Sequence, residues 1–499
     1  MSEQSRSDRS GGSGSGRRLS GQDIVFVYGE TRSMPMHTMG TVILDASGTT
    51  DGRFGYEDVI ATIESRIHLV PPFRQRLLEI PLGLGHPMLV DDPEFRLENH
   101  VHHLAVHAPG TLRELAEIVG DLASQPLDRS QPLWEMWVIE GLQDGRIALV
   151  TKLHHCIVDG ASGASQMSQL MDLERDTTPE PPSEPWDPAP LPTALDLMAG
   201  SLTSRLVNPL ELGRLVVRTA QGLRARRRAQ LEMLGEGETA PPLFDMGAPD
   251  TIFGGSPSHR RNVAYGSASL ADVKAIKKAF GVTVNDAVLA ACTLAVRRYL
   301  EAHDALPDVP LYCMVPVSTK SESEKAELAN KVSTIVVELP THLDDPGAVV
   351  AAVHRSTADA KHVFEAIEHD LMPAWLQYLP PLLTPAFARL VSELKPADRG
   401  SGGMGANLVV SNMMGPPIPL YFGGARVEAV YPMGPIGEGF GLNITVLSNL
   451  DRLDIGVLGC PEIVPDVWEI ATGFDQAVGE LTIAAEKRRA AEARPPRQR

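Results

Sequence analysis

The sequence has few cysteines, and none of them stands in a metal-binding spacing. The four are Cys156, Cys292, Cys313 and Cys460, and no CxxC pair occurs. This pattern argues against a zinc module and against a disulfide framework. We therefore expect a reduced, cytoplasmic protein that needs no metal.

Long apolar runs and a net positive charge are also missing. Nowhere do eighteen apolar residues follow one another, which argues against a membrane-spanning helix. The 45 Lys and Arg residues are outnumbered by 63 Asp and Glu residues, and the formal charge of −18 argues against nucleic acid as a partner. Residues 1–18 are polar and rich in Gly and Ser, so we expect a disordered tail rather than a signal peptide.

Two regions of alternating strand and helix patterns follow this tail. The first covers residues 19–178 and the second residues 251–483, which predicts an α/β protein with two subdomains. Between them, residues 179–250 begin with seven prolines from Pro179 to Pro192, too many for a helix or a central strand. Residues 484–499 form a basic tail.

The crossover continues into an arginine-rich helical pattern. Its apolar residues keep a roughly helical spacing, and its basic side includes Arg214, Arg218, Arg224 and Arg226 to Arg228. Two interpretations stay open: a solvated helix packed between the subdomains, or a surface that touches anionic lipid.

Local signals define several elements. Alternation from Ile147 to His154 predicts a strand, and it places His154 and His155 on opposite faces. Ser269 and Asp272 stand in capping-box spacing at the start of a helix that Gly281 ends. Further strands are predicted at 311–318, 333–340 and 407–412, and at 442–448 and 453–459, which a short turn joins.

The most informative stretch is TKLHHCIVDG, residues 151–160. A histidine can take and return a proton near neutral pH, and a positioned general base contributes about 10²–10⁴ in rate. His155, at the end of the predicted strand, is the candidate base. Asp159 could fix the loop or the imidazole tautomer, and Gly160 allows a backbone conformation with positive φ or the close approach of a substrate.

Residue types alone leave other interpretations open. A metal site would need more ligands than this histidine pair, and a second cluster shows alternation rather than a ligand spacing. A covalent mechanism would need a nucleophile, and Cys156 points away from its neighbour on a strand. Two structural histidines are as compatible with the pattern as a catalytic pair. The second cluster consists of His100, His102, His103 and His107.

The full string HHxxxDG resembles the signature of the coenzyme-A-dependent acyltransferase superfamily, which includes chloramphenicol acetyltransferase and the condensation domains of peptide synthetases. The flanking segments resemble, in the same order, those of the bacterial wax ester synthase/acyl-CoA:diacylglycerol acyltransferase family. The matching segments are PMH at 35–37, PLW at Pro132, Leu133 and Trp134, ND at Asn285 and Asp286, PVS at 316–318, NKVS at 330–333 and SNMMGPP at 411–417.

The resemblance implies a fold and a mechanism. The fold would consist of two chloramphenicol-acetyltransferase-like mixed-sheet subdomains joined by the Pro-rich and helical crossover, with the active site between them. His155 would deprotonate an acceptor hydroxyl, which attacks the acyl-CoA thioester directly in a ternary complex. His154 would support the site, Asp159 would hold the loop, and Gly160 would give the backbone room. No cofactor is implied, because acyl-CoA is a substrate.

The other matching residues shape the site. Pro132, Leu133 and Trp134 are expected to pack its base, and Asn285 and Asp286 to cap a helix of the second subdomain or contact substrate. The strand end at Ser411 and Asn412 is a candidate for stabilising the oxyanion.

The implied acceptor is an alcohol, either diacylglycerol, which gives triacylglycerol, or a long-chain fatty alcohol, which gives a wax ester. Such substrates imply peripheral contact with the inner face of the plasma membrane or with lipid droplets, where the arginine-rich helix and the basic tail would face anionic lipid. Two alternatives remain: transfer to another hydroxyl, as in polyketide-associated acyltransferases, and a non-catalytic lipid-droplet protein, although an intact His155 argues against the latter.

Two segments depart from the family pattern. The family usually has an Asn-Gly pair before its basic dipeptide, where this chain has TIFGGSPSHRR, and it usually reads SNVPGP, where this chain has Met413 and Met414. Neither departure lies within the histidine motif. Both concern the acyl or acceptor channel, so they bear on substrate preference rather than on reaction type.

Overall fold

A computed structural model gives the fold. The structure describes residues 16–49, 52–157, 166–204, 209–232, 248–318, 332–365 and 405–492, together with 374–375, 381, 384, 390, 393–394 and 397–399. The predicted site residues Asp159 and Gly160 lie outside the described residues, as does Asn330 of the NKVS segment.

The structure contains short edge strands and longer central strands. In the described residues they are β1 (Arg17–Arg18), β2 (His37–Asp45), β3 (Gln75–Leu78), β4 (Met88–Asp91), β5 (Val101–Ala105), β6 (Trp134–Glu140), β7 (Ile147–His154), β8 (Asn262–Ser269), β9 (Leu311–Ser318), β10 (Val332–Leu339), β11 (Leu408–Met414), β12 (Tyr421–Phe422), β13 (Ala425–Met433), β14 (Leu442–Asn449) and β15 (Arg452–Gly459).

The helices lie between and after these strands. Over the same residues they are α1 (Gly21–Gly29), α2 (Tyr56–Arg66), α3 (Leu112–Ala123), α4 (Ala194–Ser204), α5 (Pro209–Glu232), α6 (Leu270–Phe280), α7 (Val284–Ala302), α8 (Pro346–Glu365) and α9 (Val467–Glu492).

The described strands form two six-stranded mixed sheets and a small third sheet. The first sheet has the order β12-β13-β2-β7-β6-β5, the second β10-β9-β11-β14-β15-β8, and the third β1-β4-β3. Strand β5 runs parallel to β6 in the first sheet, and β11 runs parallel to both β9 and β14 in the second. This architecture confirms the predicted mixed α/β fold with two sheets.

Strand β13 comes late in the sequence but belongs to the first sheet. It pairs antiparallel with β2, from Arg426 opposite Asp45 to Met433 opposite Met39. The strand β12 at the edge of the first sheet pairs with β13 in turn. Residues 421–433 therefore lie within the second predicted region but belong to the first sheet, which takes strands from both regions, whereas all six strands of the second sheet come from the second region.

A buried apolar layer lies between the two sheets. It includes Met39 and Ile43 of β2, Val263 of β8 and Met433 of β13. Within it, the hydroxyls of Thr41 on β2 and Tyr265 on β8 are 3.0 Å apart. Because this layer is continuous, the relative position of the two sheets is fixed by core packing rather than by the crossover alone.

Several local predictions are confirmed. The Ser269 hydroxyl accepts a hydrogen bond from the Asp272 amide (3.1 Å), and Gly281 ends α6 with φ of 70° in the left-handed region. Strands β14 and β15 form a hairpin in which Asn449 pairs with Arg452. Residues 179–192 form neither helix nor strand, as their proline content predicts.

The described helices were also compared with the requirements for membrane insertion. Within the described ranges, no single helix is long and apolar enough to cross a membrane. Helices α6 and α7 meet the length and composition requirements only as a pair, bent by 105°. Residues of both helices, among them Val273 and Leu289, are buried in the core of the second subdomain.

Candidate active site

Strand β7 brings the histidine pair to the middle of the first sheet. It lies between β2 and β6, and each of its residues from Ile147 to His154 is buried. His154 is the last residue of the strand and stands opposite His37 of β2, whereas His155 begins the turn that follows. The two histidines consequently have different surroundings, as the alternation predicts.

The His155 ring is held by contacts with the segment around α1. Its backbone N–H donates to the carbonyl oxygen of Met36 at 2.9 Å. Its imidazole stacks on the phenyl ring of Phe26, with centroids 4.2 Å apart and planes 13° from parallel. His155 remains partly exposed. One face of the imidazole is therefore fixed on an aromatic ring at the end of a central strand.

His154 is enclosed. It is 1% exposed, its N–H donates to the carbonyl of Leu133 at 3.0 Å, and its Nδ1 accepts from the amide of Cys156 at 3.1 Å. Its Nε2 lies 3.5 Å from Glu30 Oε1, an electrostatic contact rather than a close hydrogen bond.

The protonation of His154 follows from these contacts. Burial lowers its pKa, while Cys156 and the Glu30 carboxylate raise it, with a net increase to about 9. A second proton would have to displace the Cys156 amide from Nδ1. The proton that His154 holds at neutral pH therefore lies on Nε2, towards Glu30.

Glu30 is a buried carboxylate with a strong partner. Its Oε2 accepts from Arg129 Nε at 3.0 Å and from Arg129 Nη2 at 2.7 Å. Burial raises the pKa of Glu30, but His154 and Arg129 outweigh burial and lower it to about 2. Glu30 is therefore ionised at neutral pH. The sequence contains no short-range signal for this pair, because Glu30 and Arg129 are 99 residues apart.

Two more buried polar residues, His37 and Lys152, lie near His154 and Glu30. His37 Nε2 is 3.1 Å from the carbonyl oxygen of Ala123, and burial together with nearby Lys152 lowers the pKa of His37 to about 3. Lys152 itself, 1% exposed, contacts Glu135 at 2.9 Å and two carbonyls at and just beyond the end of α3. These groups secure the end of α3 against β2 and β7.

The PLW segment contacts His154 through its backbone and packs its indole ring on Phe73. Leu133 provides the carbonyl that holds His154, and Pro132 forms a bridge with Arg76. The Trp134 ring stacks on Phe73, with centroids 4.6 Å apart, and its Nε1 donates to the Phe73 carbonyl. All three residues are buried, as expected for the base of a site.

The ND segment opens α7. Asp286 and Thr283 form a capping box, and the Asp286 carboxylate also accepts from Thr357 at 2.7 Å and from His354 at 2.8 Å. Asp286 thus ties α7 to α8. Asn285 accepts a hydrogen bond from Asn412 Nδ2 at 3.3 Å, which joins the ND segment to the end of β11.

The predicted residues therefore fall into two groups. His154, His155 and the PLW residues belong to the first sheet, whereas Asn285 and Asp286 open α7 and Ser411 and Asn412 lie on β11 of the second sheet. Asn285 and Asn412 are in contact. The structure brings the members of each group together.

The alternative chemistries find little support in the described part of the chain. Among those residues, no group of three or more His, Cys, Asp or Glu side chains could hold a metal ion. Cys156 is buried, with 1% of its surface exposed, and its amide is engaged with His154. A thiol in this position lacks the exposure that a nucleophile needs.

Family models match most of the chain. The wax ester synthase/diacylglycerol acyltransferase catalytic domain matches residues 19–288, and the C-terminal domain of the same family matches residues 328–482.

Individual relatives agree with these matches. Two proteins of Mycobacterium tuberculosis H37Rv, each named "Putative diacylglycerol O-acyltransferase", are similar over nearly their whole length. One is 37% identical over 473 residues, covering 93% of this chain and 90% of the relative. The other is 35% identical over 472 residues, covering 94% and 98%.

Solved structures show the same relationship. The wax ester synthase/diacylglycerol acyltransferase from Marinobacter aquaeolei VT8 is 28% identical, with a TM-score of 0.66 and coverage of 94% of this chain and 100% of that one. The first condensation domain of the calcium-dependent antibiotic synthetase shares the fold, with a TM-score of 0.57 at 15% identity and coverage of 95% and 97%. The chain is therefore an acyltransferase that belongs to the wax ester synthase/diacylglycerol acyltransferase family.

Proposed function

We propose that this acyltransferase moves a long-chain acyl group from acyl-CoA to the free hydroxyl of diacylglycerol and so forms triacylglycerol. The observation that carries the proposal is the contrast between the two histidines. His154 is enclosed with a neighbour at each ring nitrogen, while His155 lies against Phe26 and stays partly exposed. A fixed and accessible imidazole meets the requirement for a general base.

The proposed reaction uses His155 for proton transfer only. One ring nitrogen accepts the hydroxyl proton as the acceptor oxygen attacks the thioester carbonyl. The tetrahedral intermediate then collapses, the C–S bond breaks, and the imidazolium returns its proton to the leaving thiolate. Both substrates are bound together and no acyl-enzyme forms, so the reaction needs no further cofactor.

The remaining predicted residues support this step in the proposal. Asp159 holds the loop after His155, and Gly160 leaves space for the substrate. The end of β11 at Ser411 and Asn412 stabilises the oxyanion, a role for which a side-chain amide that is already held by Asn285 is suited.

A long-chain fatty alcohol is the second candidate acceptor. The protein from Marinobacter aquaeolei VT8 is named both as a wax ester synthase and as a diacylglycerol acyltransferase. The acceptor hydroxyl in each case is a primary or secondary alcohol on an apolar chain, and the same base would serve both. A bifunctional enzyme is therefore part of the proposal.

Peripheral attachment to the inner face of the plasma membrane or to a lipid droplet completes the proposal, because both acceptors partition into lipid. Helix α5 carries Arg214, Arg218, Arg224 and Arg226 to Arg228 on a protein with a net charge of −18. Each basic residue near an anionic surface contributes about 1 kcal/mol. Neutralising Arg224 and Arg226 to Arg228 is expected to reduce sedimentation with anionic liposomes, whereas neutralising Lys274, Lys277 and Lys278 on α6 serves as the matched control.

The central experiment measures thiol release from palmitoyl-CoA with diacylglycerol, with hexadecanol or without acceptor. Wild type is expected to respond to diacylglycerol, and His155→Ala to lose about 10²–10⁴ in rate. His342→Ala, at an exposed histidine of the second region, is the matched control and should keep the wild-type rate. Wild-type activity in His155→Ala would refute the assignment of the base, and a lack of response to both acceptors would refute the substrate class.

A further inference from the structure

Glu30 occupies a junction beneath the candidate base. It follows directly after α1 and its side chain is 8% exposed. Three groups from different parts of the chain contact its carboxylate, namely Arg129, His154 and the Met36 amide. A buried carboxylate with this many partners has a fixed position.

Arg129 fixes one oxygen of this carboxylate. Its Nε and Nη2 both donate to Glu30 Oε2, at 3.0 and 2.7 Å, and Nη2 also donates to the Val27 carbonyl at 2.7 Å. Two charged donors from one guanidinium that converge on a single oxygen fix the position of that oxygen. Arg129 thereby holds the C-terminal end of α1 in a defined place.

The other oxygen, Oε1, points to the histidine pair. It accepts from the Met36 amide at 3.2 Å and lies 3.5 Å from His154 Nε2. The same Met36 residue accepts the N–H of His155 with its carbonyl oxygen at 2.9 Å. One carboxylate oxygen is thus linked to both histidines, to the first through its ring and to the second through a single intervening residue.

Helix α1 provides a second connection. Phe26, one turn before Glu30 on α1, stacks on the His155 ring at 4.2 Å. Any shift of the C-terminal end of α1 would move this ring as well as the Met36 carbonyl. Both contacts of His155, the ring stack on Phe26 and the hydrogen bond to Met36, therefore depend on the position of Glu30.

We infer that Glu30, clamped by Arg129, is a positioning residue that fixes the His155 imidazole for proton transfer. The inference rests on the proposed role of His155 as the base. Glu30 does not need to touch substrate in this scheme. Its loss would misplace the imidazole, and a misplacement of about 1 Å can reduce the rate of a chemical step by about 10²-fold.

The test compares Glu30→Gln with Glu79→Gln in the full-length protein. Glu79 is the matched control, because its Oε1 also faces Arg129 at 3.8 Å while its side chain is 73% exposed. Both variants are assayed for thiol release from palmitoyl-CoA with diacylglycerol. We expect Glu30→Gln to lower kcat about 10- to 100-fold with little change in KM, and Glu79→Gln to match wild type.

A second variant keeps the test informative if Glu30→Gln fails to fold. Arg129→Lys keeps the positive charge but loses the pair of hydrogen bonds from one guanidinium to Oε2, so it is expected to lower kcat, by less than Glu30→Gln does. If Glu30→Gln and Arg129→Lys both kept the wild-type kcat, or if Glu79→Gln lost as much as Glu30→Gln, the positioning role would be refuted.

A readout independent of activity separates this inference from the proposed function. Proton–carbon NMR of histidine-labelled protein is expected to show shifted ring signals for His154 and His155 in Glu30→Gln and unchanged signals in Glu79→Gln. Altered signals together with full activity in His155→Ala would refute the base and leave the structural link standing. Unaltered signals in Glu30→Gln would refute the link itself.

Discussion

Phe26 and His155 stack almost in parallel, with ring centroids 4.2 Å apart and 13° between their planes. The contact covers one face of the imidazole. Aromatic pairs contribute about 0.5–1.5 kcal/mol beyond the area that they bury. We therefore predict that Phe26→Leu lowers kcat by up to about tenfold, since 1.36 kcal/mol corresponds to a factor of about ten in rate.

The matched comparison uses another partly buried phenylalanine. Phe280 lies at the end of α6 under the guanidinium of Arg488, so Phe280→Leu removes a ring of the same size from the second subdomain. Steady-state kinetics of Phe26→Leu and Phe280→Leu test the prediction. Equal effects on kcat would show that the Phe26 ring serves stability alone.

Short-range signals account for the part of the structure that the sequence predicted. The Ser269 cap, the Gly281 stop and the hairpin at Asn449 to Arg452 each depend on residues within a few positions of one another. The alternation of β7 likewise places His154 inside and ends the strand at the candidate base. Such features need no knowledge of distant chain.

Long-range pairing accounts for what the sequence did not predict. Strand β13 joins β2 across most of the chain, and it contains Pro432 and a register shift after Val427, so its pattern is weak when taken alone. The Glu30 contacts with Arg129 and His154 likewise join segments that are far apart. An isolated acidic residue after a short helix has the same sequence pattern whether it faces solvent or a buried arginine.

The buried ion pair of Arg66 and Asp172 supports a second prediction. Arg66 Nη2 lies 2.7 and 2.9 Å from the two Asp172 oxygens, and both side chains are less than 8% exposed. Asp172→Ala would leave the guanidinium buried without its partner, a change that destabilises proteins by about 3–5 kcal/mol.

A double variant tests whether that loss comes from the unpaired charge. Arg66→Met with Asp172→Leu replaces the pair by apolar groups and should recover most of the stability. Urea denaturation of Arg66→Met, Asp172→Leu and the double variant completes the cycle. Equal stability of Asp172→Ala and wild type would contradict the prediction.

Asp286 gives a prediction about pH. Burial raises its pKa, but hydrogen bonds from Thr357, the Thr283 amide and His354 outweigh burial and lower it. A carboxyl group whose pKa is lower in the folded state than in the unfolded chain contributes stability above its unfolded pKa of about 3.9. That contribution is lost as the pH falls through the lower, folded pKa.

Asp286→Asn is therefore expected to be less stable than wild type at neutral pH. It should also lose less stability than wild type as the pH falls below about 5, because the contribution of the Asp286 carboxylate begins to be lost near its unfolded pKa of about 3.9. Thermal melts at a series of pH values measure both effects. Asp308→Asn, at an exposed position, is the control and should follow wild type. Parallel pH curves for Asp286→Asn and wild type would show that the carboxylate does not contribute through its ionisation.

Two glycines that lie against or within α9 should respond to alanine in opposite directions. A Cβ at Gly266 of β8 would lie 2.8 Å from the carbonyl oxygen of Ala471, a backbone atom of α9 that cannot turn aside. Gly266→Ala must therefore separate the helix from the sheet, and overpacking of this kind costs about 1–3 kcal/mol.

Gly479, on α9 itself, has no neighbour within 4 Å of an added Cβ, so Gly479→Ala should gain about 0.5–1 kcal/mol from helix propensity. Melting temperatures of the two variants, below and above wild type respectively, would agree with the close packing of α9 on β8. A Gly266→Ala variant as stable as wild type would show that α9 can withdraw from the sheet without loss.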